Sequence, residues 1–138
     1  MTDKEIVLAF VNAINEHDVD KIYDLMTDDH IFIDGSGGQH IGKIGMKEGW
    51  QNYFQLFPDY IIQITDVVDD NSIIGLFGYA SGSYKFIKNE TNFWKTTAAW
   101  KAIVRNKKIM HWQVYCDYTQ LMEIIKKQPR IVDIQTIK

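Results

Sequence analysis

One carboxylate and one imidazole are the groups of this chain best placed to move a proton. Asp34 ends the apolar run His30-Ile31-Phe32-Ile33 and precedes the flexible stretch Gly35-Ser36-Gly37-Gly38. At the rim of an apolar cavity such a carboxylate would have its pKa raised, which suits proton abstraction near neutral pH. Asp-Gly is equally an ordinary turn dipeptide. His40 follows the glycine stretch and could shuttle protons. An exposed loop histidine is the competing reading, because geometry comes before pKa in naming a base. His17 and His30 read as surface or strand-edge residues, and His111 as outward-facing.

Metal and cofactor chemistry find no foothold. His30 with Asp28 and Asp29 gathers ligand types but lacks the paired or helical spacing of a zinc site. The glycine stretch is not followed by the Lys-Ser/Thr of a phosphate-binding loop. We expect no metal and no cofactor.

The elements that must hold these groups can be read from periodicity. Ile6, Val7, Phe10, Val11 and Ile14 recur at helical spacing, and Thr2 with Glu5 forms a capping-box pattern. A short second helix carries Val19, Ile22, Leu25 and Met26. His30–Asp34 reads as a short strand. A third helix, from about Gly45 to Phe57, carries Trp50, Tyr53 and Phe54 and stops at Pro58. Four strands follow, at Tyr60–Val68, Ile73–Phe86, Phe93–Val104 and Ile109–Asp117, separated by polar turns. A terminal helix covers Tyr118–Lys127. Helices first and long hairpins after is the order of an α+β fold. Internal glycines at 75, 78 and 82 predict a strongly curved sheet. A curved sheet closed by helices is a cone with a natural cavity at its wide end.

Strand alternation sorts the faces. Trp94, Thr96, Ala98, Trp100 and Ala102 form the cleaner inward set on the third long strand. Met110, Trp112, Val114 and Cys116 form it on the last. The expected cavity wall is Trp100, Trp112, Phe77 and Tyr79, with Trp50 and Phe54 from the third helix. Plain core filling is the alternative for each of these aromatics. The outer face of the last two strands, with His111, Gln113, Tyr115, Phe93 and Ile103, suits self-association into a homodimer.

Composition agrees with one domain of 138 residues, placed at residues 1–128, with a tail at 129–138. Net charge is −3 with no coherent basic face, which argues against nucleic-acid binding. The single cysteine excludes an internal disulfide and suits a cytoplasmic location. No apolar run approaches the roughly 20 residues that cross a bilayer, and no signal peptide is legible.

The order of elements resembles the NTF2-like superfamily, and within it the SnoaL-like, polyketide cyclase-like family. "FVNAINEHDVDKIYDL" (Phe10–Leu25) resembles its first two helices, and "DDHIFIDG" (Asp28–Gly35) its first strand. "GKIGMKEGWQNYFQLFPDY" (Gly42–Tyr60) resembles its third helix, and "AAWKAIVRNKKIMHWQVYCDYTQL" (Ala98–Leu121) its closing hairpin and last helix. The resemblance implies a cone-shaped α+β fold, with a curved antiparallel sheet and three N-terminal helices on its concave face. It also implies a deep pocket for a small hydrophobic molecule, and often a dimer. It does not imply one function.

Within that resemblance Asp34 lies where ketosteroid isomerases hold a general base. Phe10 lies where they hold a donor tyrosine. Trp100 lies where they hold an acidic donor, if one residue is deleted in the Arg105–Lys108 turn. Without those donors an enolate has no stabiliser. Epoxide hydrolases of the superfamily need a buried arginine, and the only arginines are Arg105 and Arg130. A cyclase would need only an acid–base carboxylate, sometimes helped by a histidine. Asp117 matches the aspartate that closes the family's last strand, either as catalyst or as a helix cap. Two readings therefore stand: a ligand-binding domain without catalysis, and a cofactor-independent cyclase, isomerase or lyase using Asp34.

Overall fold

Helix α1 (Asp3–Asn15) starts at the expected capping box. The Thr2 hydroxyl accepts from the Glu5 amide at 3.1 Å, and the Glu5 carboxylate accepts from the Thr2 amide at 2.9 Å. Its apolar stripe buries Ile6, Val7, Phe10, Val11 and Ile14. Helix α2 (Val19–Asp24) is capped by Asp18, whose carboxylate accepts from the Lys21 amide. Strands β1 (Met26–Ile33) and β2 (Gln39–Ile41) make a hairpin, and α3 (Lys43–Leu56) follows. Four longer strands complete the sheet: β3 (Ile61–Asp69), β4 (Ile74–Ser83), β5 (Phe93–Arg105) and β6 (Lys108–Cys116). Helix α4 (Thr119–Lys127) closes the described chain. The structure is a computed structural model that describes residues 1–85 and 91–127. The boundary expected near residue 128, the tail at 129–138 and the strand end at Phe86 lie outside the described residues.

The six strands run in the order β2-β1-β6-β5-β4-β3. Every neighbouring pair is antiparallel except β1 and β6, which run parallel. The sheet is therefore mixed, with its first long strand beside its last. Shifts in register between Ile64 and Asp66 on β3 and between Ile103 and Val104 on β5 bend it. The helices cover the concave side. Phe10 of α1 meets Trp112 of β6 edge-on, with ring centroids 5.0 Å apart. The Asn15 side chain pairs with both backbone groups of Ile62, at 2.9 and 2.8 Å. That pair ties the end of α1 to the edge strand β3 and satisfies groups an open edge would leave bare.

The inward row of β5 is as expected, with Trp94, Ala98, Trp100 and Ala102 all buried. The row expected on β4 is not. Phe77 and Tyr79 are 45% and 38% exposed and stand on the convex face, opposite Ala99 and Thr97 of β5. The inward row is Ile74, Leu76, Gly78, Ala80 and Gly82, because Leu76 pairs with Trp100 and Gly82 with Trp94. Its last three residues are small, and Gly82 faces the large ring of Trp94. A side chain at Gly82 would sit 3.5 Å from the Trp94 ring. At Gly78 the backbone of β3 comes so close that a Cβ would lie 1.8 Å from the Gln63 carbonyl oxygen.

His30 is also not where the sequence suggested. It is 1% exposed. Its Nδ1–H donates to the Ile109 carbonyl at 2.8 Å, and its ring lies 6.2 Å from that of Phe10. Burial lowers its pKa, so the ring is held neutral.

Candidate functional site

A cavity of about 270 Å³ opens between the concave sheet and α3. Its floor is Trp94 and Trp100 from β5, with Trp112 and Val114 from β6. Trp100 and Trp112 stack with centroids 6.4 Å apart. Met46, Gly49, Trp50 and Tyr53 of α3 form the opposite wall, and Phe32 of β1 one side. Trp50, Trp100 and Trp112 therefore enclose a space rather than collapsing on one another.

Helix geometry explains the α3 side chains. Trp50, Tyr53 and Phe57 are spaced by three and four residues and face the sheet. Phe54 turns away from the cavity and stacks on His17, with centroids 4.0 Å apart and planes 8° from parallel. Phe54, like Phe77 and Tyr79, is therefore not part of the wall.

Asp34 and His40 come together at the wall. The β1–β2 register places His40 opposite Phe32, and the intervening loop folds back on the Asp34 carboxylate. Oδ1 accepts from the Ser36 hydroxyl at 2.6 Å, the Ser36 amide at 2.9 Å and the Gly38 amide at 3.0 Å. Oδ2 accepts from His40 Nε2 at 3.0 Å. The Ser36 hydroxyl, then His40 and the amides, hold the Asp34 carboxyl well below the usual carboxylate range, against a smaller opposing effect of burial. The expectation of a raised pKa is overturned: donors to the ionised form outweigh the apolar rim. An ionised Asp34 is a weak base, but it fixes the ring it faces. With Nε2–H directed at Asp34, neutral His40 carries its lone pair on Nδ1.

Asp117 does not join this pair. It is exposed, and its Oδ1 accepts from the Thr119 amide at 2.9 Å and hydroxyl at 2.6 Å. Those bonds lower its pKa and cap the first turn of α4.

Three tyrosines and the cysteine complete the wall: Tyr53, Tyr60, Cys116 and Tyr118. Burial raises the pKa of every one, so all are neutral donors near pH 7. Tyr118 lies against Gly35, where a Cβ would fall 2.4 Å from the phenol ring. Only glycine allows that approach. Sequence periodicity missed Tyr60 and Tyr118 because each sits just outside a regular element.

The family model for the SnoaL-like domain matches residues 7–112. The chain belongs to the SnoaL-like family. No curated protein sequence is similar enough to match. Several solved structures share the fold of this SnoaL-like domain. A candidate SnoaL-like polyketide cyclase of Shewanella denitrificans superposes with a TM-score of 0.78 at 14% identity, covering 91% of this chain and 98% of that one. A Catenulispora acidiphila protein with a ketosteroid isomerase-like fold, solved with trimethylamine, gives 0.78 at 15% identity, with the same coverage. An NTF2-like protein of Cytophaga hutchinsonii gives 0.69 at 13% identity, covering 88% and 96%. At such identities the likeness establishes the NTF2-like fold and leaves the chemistry to the site. Among the described residues of this SnoaL-like domain, no helix is long and apolar enough to cross a membrane.

Proposed function

We propose that this SnoaL-like domain binds a small, flat, largely apolar molecule. The observation that carries the reading is the cavity itself, about 270 Å³ and walled by four tryptophans. That is room for a bicyclic or tricyclic molecule with a few polar contacts. The test is titration of the protein with tetralin and 2-tetralone, following tryptophan fluorescence and melting temperature. Ligand at 100 times its Kd should stabilise the fold by about 2.7 kcal/mol. No change in either signal at millimolar ligand would count against the reading.

The Asp34–His40 pair favours a second, catalytic reading on the same cavity. His40 Nδ1 takes a proton from carbon next to a ligand carbonyl, and Asp34 stabilises the imidazolium that results. Such a step serves a cofactor-independent cyclase, isomerase or lyase. Exchange of the α-protons of 2-tetralone in D₂O, read by NMR, tests it. Exchange above the buffer rate that disappears in His40→Ala supports the reading, and exchange at the buffer rate refutes it.

We further propose a homodimer formed through the convex face; the single cysteine suits a cytoplasmic location, and the net charge of −3 does not favour nucleic acid. Phe77 and Tyr115 flank Ala99 in one cross-strand row, and Tyr79 lies in the next. Tyr115 is 49% exposed. Light scattering at micromolar concentration gives the mass, and a monomer would refute the dimer.

A further inference from the structure

Hydrogen-bond donors outnumber free acceptors around the cavity. Tyr53 and Tyr60 both line the cavity and meet edge-on, with ring centroids 4.9 Å apart, and the Tyr60 O–H has no acceptor among the described residues. Tyr118, packed against Gly35, and Cys116 line the same cavity. Tyr60, Tyr118 and Cys116 are near enough to oppose one another's ionisation, so they share one end of it. Trp50 and Trp94, each more than nine-tenths buried in the wall, have indole N–H groups without a partner. Against these donors, the Asp34 carboxylate is already engaged by Ser36, Gly38 and His40.

We propose that the tyrosine end of the cavity is a subsite for a neutral ligand oxygen, a ketone or quinone carbonyl. Tyr60 is its specificity-determining donor, and the Tyr53 hydroxyl is a second donor on the same wall. The proposal rests on the pocket reading above. A carbonyl oxygen brings two lone pairs to donors that otherwise lack an acceptor. A carboxylate or phosphate would fit less well, because no Lys or Arg among the described residues lines the cavity and a buried charge needs a partner. The same donors supply what the isomerase-like positions, Phe10 and Trp100, do not. Tyr60 and Tyr118 reach the cavity from the connections flanking α3 and α4, whereas the isomerase-like positions lie on α1 and β5.

The probes are 2-tetralone, labelled with ¹³C at the carbonyl, and tetralin, the same carbon frame without oxygen. Each is titrated into wild type, Tyr60→Phe, Tyr53→Phe and the convex-face control Tyr79→Phe. The bound carbonyl stretch is read by infrared difference. Tyr60→Phe should weaken tetralone by roughly three- to tenfold, leave tetralin unchanged and return the stretch to higher wavenumber. Tyr53→Phe should act in the same direction more weakly, and it also serves as the readout if Tyr60→Phe does not fold. Tyr79→Phe should change nothing. If tetralone affinity and stretch are the same in Tyr60→Phe, or in Tyr53→Phe where that is the readout, as in wild type, the subsite is refuted and the pocket stands. If neither probe binds, the pocket reading falls and the subsite with it.

Discussion

Acidification should destabilise this fold through His30. The ring is 1% exposed, spends Nδ1–H on the Ile109 carbonyl and packs near Phe10. Burial is the largest cause of its lowered pKa, with His111 adding to the shift, and the Ile109 carbonyl and Asp29 opposing it. A base whose pKa is depressed on folding binds its proton more readily in the unfolded chain. Stability is then full above the unfolded value of about 6.5 and falls as pH drops below it. The slope is at most about 1.4 kcal/mol per pH unit, so the loss between pH 6.5 and 5 is bounded at about 2 kcal/mol. That is a sizeable part of a typical 5–15 kcal/mol stability. The assay is urea unfolding from pH 7.5 to 5, for wild type and His30→Phe. The phenyl ring keeps most of the volume but leaves the Ile109 carbonyl without its donor, at about 1–3 kcal/mol at pH 7.5. Its pH curve should be flatter than that of wild type by one proton. Parallel curves, or an NMR titration of His30 in the native protein near pH 6.5, would refute the reasoning.

Five further outcomes are expected. Gly78→Ala should destabilise by ~3 kcal/mol or more, measured by chemical unfolding, because the new methyl meets the Gln63 carbonyl oxygen of a paired strand; a loss under 1 kcal/mol would show that β3 yields easily. Gly49 lies in α3 at the cavity wall with nothing within 4 Å of a Cβ. Gly49→Ala should therefore stabilise by about 1 kcal/mol through helix propensity, while Gly49→Trp should weaken tetralin binding at least tenfold by calorimetry. Asp34→Asn should remove acid sensitivity between about pH 4 and 2: a carboxyl whose pKa is depressed in the fold lends stability above its unfolded value and loses it as pH falls. An unchanged acid limb in circular dichroism would contradict that. Gly35→Ala should displace Tyr118 and shift its ring resonances in NMR spectra, with the melting temperature lowered.

Much of the frame could be read from side-chain spacing, and the parts that could not have identifiable causes. The α1 stripe and its capping box are local patterns, and both are present in the structure. The β5 face was legible because Trp94 and Trp100 alternate with polar residues. The β4 face was not, because its inward row is small at three positions: the β3 backbone crowds Gly78, Ala80 lines the cavity and Trp94 faces Gly82. Apolarity then points to the wrong side, and pairing partners rather than strand composition decide. Trp50 lines the cavity, while Phe54 and Tyr53 sit only 100° apart on the helix and packing alone separates them. The reversal at Asp34 came from its neighbours. Ser36 and Gly38 are typical partners of an aspartate in a turn, and their donors count for more than the apolar surroundings. Asp59, in the Pro58-Asp59 exit from α3, has a structural use that periodicity does not reveal. Its carboxylate accepts from the Ser83 amide and hydroxyl at 2.6 and 2.7 Å, which sets the entry of the chain into Tyr60.

The parallel pairing of β1 with β6 has a consequence for how the chain acquires its shape during synthesis. Met26 is paired with Ile109, and Phe32 with Trp112, so partners emerge from the ribosome about 80 residues apart. At roughly 5–20 residues per second the first half waits several seconds for its neighbour. Over that interval the stripe of α1, with Phe10 and Ile14, has no Trp112 to rest on. Such long-range closure is slow and leaves apolar surface open to other chains. Nascent chains arrested before Lys108 should therefore be held by chaperones, and release of the last hairpin should be the event that makes the cavity.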